Sequence, residues 1–266
     1  RSVSRGLGDV YKRQVINSST DCITAHGADC RNYGELAGID ECKNFFAEIF
    51  DVDPSDVMVG GNSSLNMMFD TIAGFMTKPV VEGCKPWYEV KNRKFLCPAP
   101  GYDRHFAITE YFDFDLIPVP MTENGPDMDV VEKLVENDDS IKGIWCVPKY
   151  SNPLGITFSD ETVKRFAALK PAAKDFRIMW DNAYCVHDVT DTPDELLSLM
   201  AECRKTGNVD LPIMFTSTSK ITFPGSGVAA MAASDNNMKV IKNRYQYQVI
   251  SCLLYTSPSP RDTERS

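Results

Sequence analysis

Three short apolar runs, residues 141–147, 176–180 and 213–215, each end abruptly in a cluster of polar side chains. This repeated transition constrains the fold more than any other feature of the chain. The first run leads into Tyr150-Ser151-Asn152-Pro153-Leu154-Gly155, the second into Asp181-Asn182-Ala183-Tyr184, and the third into Ser217-Thr218-Ser219-Lys220. Apolar runs of this length, bounded by turn residues, read as buried strands. Helical spacings fall between them and on either side. Residues 40–50 carry Phe45, Phe46, Ile49 and Phe50 on a surface helix, and a helix from the Gly60-Gly61 turn to Thr77 aligns Leu65, Met68, Phe69, Ile72 and Phe75. Further segments alternate at 94–97, 104–111, 116–119, 130–136, 159–169, 194–205, 228–232 and 236–249. Such alternation predicts an α/β fold of three layers, α/β/α, with a mainly parallel sheet covered by helices on both faces.

Composition narrows the function classes. The formal charge of −9 argues against nucleic acid as a partner, since phosphate backbones need clustered Lys and Arg. No apolar run approaches the length of a membrane span. The nine cysteines contain no Cys-x-x-Cys spacing and read as reduced thiols of a cytoplasmic protein. His26, His105 and His187 share no metal-ligand spacing and read as structural or solvent-facing, so no metal is expected.

The two ends of the chain are related to each other. One nucleotide string encodes residues 4–14, and its complementary strand in a shifted frame encodes residues 252–261. Residues 1–14 and 252–266 therefore read as adaptor-like sequence and are set aside. The remainder divides into an amino-terminal part, 15–50, and an incomplete large domain, 51–251. On this reading a carboxyl-terminal small domain lies beyond the chain, and the chain by itself is inactive.

The polar clusters gather a carboxylate, a phenol, an amide, hydroxyls and a lysine at the carboxyl ends of neighbouring strands, the edge where open α/β sheets bind ligands. A lysine that can form a Schiff base beside a carboxylate that can hold a ring nitrogen protonated is the group set that pyridoxal 5'-phosphate needs. Gly60-Gly61-Asn62-Ser63-Ser64 is a strand-to-helix turn whose free N–H groups and helix dipole suit an anion.

In order and spacing these motifs resemble the fold-type-I pyridoxal-phosphate-dependent aminotransferases. The variant loops resemble the aspartate aminotransferase subgroup related to the aminotransferase domain of MocR-type regulators. The resemblance implies that Lys220 holds the cofactor and moves the substrate proton, and that Asp181 pairs with the pyridinium nitrogen. It implies that Tyr184 and Asn152 bond the cofactor's phenolic oxygen, and that Gly61, Asn62, Ser63, Ser217 and Ser219 bind its phosphate. Tyr102, in Pro98-Ala99-Pro100-Gly101-Tyr102, would stack on the ring, and Tyr33 would reach the phosphate of a partner subunit in a homodimer. The stretch from Lys220 to Val228 lacks the arginine that the family often places there against the phosphate. The implied reaction moves an amino group between an amino acid, of aspartate type, and a 2-oxo acid. A lyase on the same fold, or the effector-sensing domain of a transcription regulator, are the alternatives.

Overall fold

The computed structural model describes residues 23–30, 35–188, 190–221 and 227–250. Tyr33, the two adaptor-like ends and residues 222–226 lie outside these.

Eight strands form one sheet: β1 (Val57–Gly60), β2 (Lys94–Ala99), β3 (Asp115–Thr122), β4 (Gly125–Pro126), β5 (Ile141–Cys146), β6 (Arg177–Asp181), β7 (Pro212–Ser217) and β8 (Ala229–Ala233). Their spatial order is β1-β8-β7-β6-β5-β2-β3-β4. Strands β3, β2, β5, β6 and β7 are mutually parallel. β8 runs antiparallel to both β7 and β1, so β1 points the same way as the parallel group. The carboxyl ends of β1, β2, β3, β5, β6 and β7 therefore meet at one edge of the sheet. β3 carries Pro118 and Pro120 near the end of the sheet, where only the two-residue β4 flanks it. Proline is tolerated there because its missing N–H costs no ladder bond on an open side.

Among the described residues, seven α-helices cover the sheet. α1 (Asp40–Phe50), α4 (Met128–Asn137), α5 (Asp160–Ala167) and α6 (Leu199–Thr206) bury one face with Val57, Val59, Leu96, Ile144, Ile178, Trp180, Met214 and Ala232. α2 (Ser64–Thr77), α3 (Asp103–Tyr111) and α7 (Asp235–Gln248) bury the other with Met58, Phe95, Trp145, Met179, Ile213, Phe215 and Met231. Successive strand residues thus alternate between two separate cores, as the pleat requires. Each strand looks uniformly apolar because both of its faces are dry. This is the three-layer α/β/α arrangement that the alternation predicts.

Local differences from expectation have identifiable causes. α6 starts at Leu199 rather than near 194, because the Ser198 hydroxyl accepts from the Ala201 N–H at 3.2 Å and caps the helix there. α2 buries a wider stripe than the predicted one, including Met67 and Thr71, because it packs under β7, β8 and α7 together. Leu65 is only half-buried, and Phe69 sits at the rim against Tyr111 and Phe112, with ring centroids 5.6 and 5.0 Å away. In α1, Phe46 and Phe50 are buried while Phe45 is 47% exposed. Phe46, Ala47 and Phe50 share a cluster with Val57 and Val59.

At the amino ends of the strands the polar groups are paired. Lys142 Nζ donates to Asp175 Oδ1 at 2.8 Å, and Trp87 Nε1 donates to Asp175 Oδ2 at 2.9 Å, all three residues being buried. The neighbouring Arg177 donates to Asn237 Oδ1 at 2.8 Å, and burial lowers its guanidinium pKa to about 10. Removing one partner of a buried ion pair typically costs about 3–5 kcal/mol, because the remaining charge keeps its desolvation penalty. Asp175→Ala is therefore expected to lower unfolding stability by about that amount in chemical denaturation. A loss below about 1 kcal/mol, the range of exposed pairs, would show that the pair does not hold this edge.

Candidate active site

Asp181 is the last residue of β6. Its chain leaves the sheet immediately afterwards, since the Asn182 N–H makes one more bond to Phe215 O, at 2.8 Å, before the turn begins. The residue is 4% exposed. Its Oδ2 lies 2.9 Å from His105 Nε2, whereas Oδ1 is buried with no hydrogen-bond partner among the described residues. A buried carboxylate oxygen without a donor carries an unrecovered desolvation cost, so the site suits a donor that the described residues do not supply. His105 comes from the first turn of α3, is 1% exposed, and stacks on Trp145 with centroids 4.7 Å apart and planes 16° apart. The ring of Tyr102, at the start of the same helix, meets it edge-on at 5.0 Å. Burial, and next the charge of Asp181, push the Tyr102 phenol above its ordinary pKa.

Lys220 follows β7 on a single 3-10 turn, Thr218–Lys220. Its Nζ rests 3.6 Å from the centroid of the Tyr184 ring, a cation–π contact. The turn is tied to the first strand-to-helix loop, where Ser219 Oγ donates to Asn62 O at 3.1 Å. It is also tied to the start of β8, where Thr218 N donates to Val228 O at 2.8 Å. In that first loop the Ser63 hydroxyl caps α2 through the Asn66 N–H at 3.4 Å. The opening N–H groups of a helix lack intrahelical acceptors, so α2 presents donors and a positive dipole end beside the hydroxyls of Ser63, Ser217 and Ser219.

Ser63, Tyr102, Asn152, Asp181, Tyr184, Ser217, Ser219 and Lys220 all line one cavity of about 220 Å³. The sequence motifs therefore converge, with three differences. Gly61 and Asn62 are not on its wall. Asn62 acts through its carbonyl on Ser219, and Gly61 O receives the Ala229 N–H at 3.0 Å. Lys220 is exposed where it lines the cavity. His105 is buried rather than solvent-facing, and it is the direct partner of Asp181. Its place three residues after Tyr102, at the start of a helix aimed at the strand ends, was the one available hint. Tyr33 and residues 222–226 fall outside the described residues. Among the described residues no cluster of His, Cys, Asp and Glu could hold a metal ion, and no helix is long and apolar enough to cross a membrane.

Comparisons with known proteins bear on the family and the fold. The family model described as aspartate amino-transferase matches residues 13–252. An aminotransferase-type protein of Mycolicibacterium smegmatis is 48% identical over 213 residues, which cover 80% of this chain and 50% of that protein. An aspartate aminotransferase of Corynebacterium glutamicum is 45% identical over 219 residues, or 82% of this chain and 50% of that protein. The crystal structure of an aspartate transaminase from C. glutamicum superposes with a TM-score of 0.87 at 40% identity, covering 93% of this chain and 58% of that one. The chain thus spans about half the length of the curated relatives it matches. With the family model spanning nearly the whole chain and relatives this similar, the chain belongs to the aspartate amino-transferase family.

Proposed function

We propose that the full-length protein is a pyridoxal 5'-phosphate-dependent aminotransferase of aspartate type, with Lys220 as the cofactor lysine and residues 51–251 as the cofactor-binding domain. The observation that carries this reading is the unpartnered, buried Oδ1 of Asp181 on the wall of a cavity that also holds Lys220 and Tyr184. A protonated pyridinium nitrogen is the kind of donor that this oxygen lacks. When bound, the cofactor supplies an electron sink for the pair left behind as the substrate loses its α-proton.

The chain's own residues have separable tasks. Asp181, held by His105 through Oδ2, lines the cavity and would offer its unpaired Oδ1 to the ring nitrogen. Tyr102 offers a ring face for stacking, while Tyr184 and Asn152 offer a phenol and an amide to an oxygen substituent. Ser63, Ser217 and Ser219, with the amino end of α2, offer hydroxyls and N–H groups to a phosphate. Once the amino group of the substrate has displaced it, Lys220 Nζ would be a neutral amine able to accept the proton of the substrate α-carbon. The Tyr184 ring beside it, 3.6 Å from Nζ to centroid, would hold the amine at the cavity. The family, and the name of the C. glutamicum relative, support aspartate and a 2-oxo acid as the substrate pair. A homodimer is the assembly proposed with it.

Two outcomes test the reading on the full-length protein. Borohydride reduction of the cofactor-loaded enzyme should fix the cofactor on the peptide containing Lys220, and Lys220→Ala should abolish both this label and the aspartate–2-oxoglutarate reaction. Label on another lysine, or turnover in the alanine variant, would refute the assignment. Asp181→Ala should reduce turnover by about 10²–10³-fold, since each tenfold corresponds to about 1.4 kcal/mol of barrier and preorganised charges contribute on this scale. Cofactor affinity should change far less. Near-normal turnover would remove Asp181 from the chemistry.

A further inference from the structure

The turn after Asp181 carries a histidine that neither the motifs nor the roles above use. His187 Nε2 lies 2.7 Å from the main-chain carbonyl oxygen of Lys220. A carbonyl only accepts, so Nε2 carries the hydrogen and donates. The other ring nitrogen, Nδ1, is buried with no hydrogen-bond partner. The imidazole also meets the Tyr184 ring edge-on, with centroids 5.7 Å apart and planes at 86°, and the His187 N–H donates to Tyr184 O at 3.1 Å. One side chain thus contacts both the residue that carries the amine and the ring on which that amine rests.

We propose that His187 is the positioning residue of Lys220, fixing the lysine's main chain relative to Tyr184. This rests on the reading of Lys220 as the cofactor lysine. The lysine needs such a hold. It sits on a single turn closed by Ile221 N to Thr218 O at 2.9 Å, its side chain is exposed, and a long aliphatic stem separates the amine from the backbone. The turn bearing His187 is anchored elsewhere without it. Lys149 Nζ, nearly buried, bonds Asp188 Oδ1 at 2.7 Å and Cys185 O at 3.3 Å, and the Tyr150 hydroxyl meets the same Asp188 oxygen at 3.2 Å. Ser219 and Thr218 tie the start of the lysine turn to Asn62 and Val228, whereas the Lys220 carbonyl is held by His187. Loss of the His187 bond therefore loosens the segment at Lys220 and leaves the turn bearing His187 in place.

The test uses full-length protein carrying His187→Leu, which fills comparable volume without a donor, and His187→Gln, whose amide can donate to the same carbonyl. In the cofactor-free protein, amide hydrogen exchange over residues 217–221 should quicken by about tenfold in the leucine variant, as expected when one local tether is lost. It should stay near wild type in the glutamine variant, and residues 182–188 should be unchanged in both. With cofactor, the leucine variant should lose about ten- to a hundredfold in kcat, the scale of a roughly 1 Å misplacement, with KM for the amino acid unchanged. The glutamine variant should recover most of that loss. Exchange and kcat at wild-type values in the leucine variant would overturn the proposal. So would a glutamine variant as impaired as the leucine one, or faster exchange spread equally over 182–188. Borohydride labelling of the wild type reports separately on Lys220 itself. Label elsewhere would refute its cofactor role, while the exchange data would still decide whether His187 holds that segment.

Discussion

A sheet covered by helices on both faces leaves its polar side chains one place to gather, the ends of the strands. Every other feature of this molecule depends on that constraint. Side chains along β5, β6 and β7 alternate between two dry cores, so a carboxylate or an amine within them would pay full desolvation. The parallel group, with β1 aligned to it through the reversed β8, brings six strand ends to a common edge. Residues far apart in the chain meet there, and bonds such as His105–Asp181 and Ser219–Asn62 tie them across it.

The electrostatics of that edge are deliberately incomplete. Asp181 receives one bond from a histidine that Trp145 and Tyr102 hold in place, and its second oxygen receives none. Fully pairing that carboxylate would stabilise the empty fold and leave no acceptor for a donor brought by a ligand. The arrangement fits a site whose missing donor arrives with a ligand, beside hydroxyls that meanwhile tie the loops together, as Ser219 does with Asn62 and Ser63 with Asn66.

Much of this was legible in the chain. The uniform apolarity of 141–147 and 176–180 marked strands buried on both sides, and the polar residues closing each run marked the ligand-binding edge. Asp181, Tyr184, Asn152 and Lys220 could be placed together because parallel connectivity puts all strand ends on one side. His105 could not be read in the same way. Its role depends on the packing of α3 against β5 and β6, which brings together residues 76 positions apart. The contact of His187 could not be read for a related reason, since its partner is a main-chain carbonyl, and backbone acceptors leave no trace in residue identity. The start of α6 was misjudged because the serine that caps it lies inside a stretch whose composition is helical throughout.

The opposite edge of the sheet is organised on another principle. There Lys142, Asp175 and Trp87 close on one another and leave nothing for a ligand to satisfy. Work is thereby divided along the length of each strand, between groups that satisfy one another and a carboxylate oxygen left open. On the proposed reading, substitutions near Asp175 change how much protein accumulates, and those near Asp181 how fast each molecule turns over. A lineage of such proteins could then drift in substrate preference at the open rim while drawing on a reserve of stability that the rim does not control.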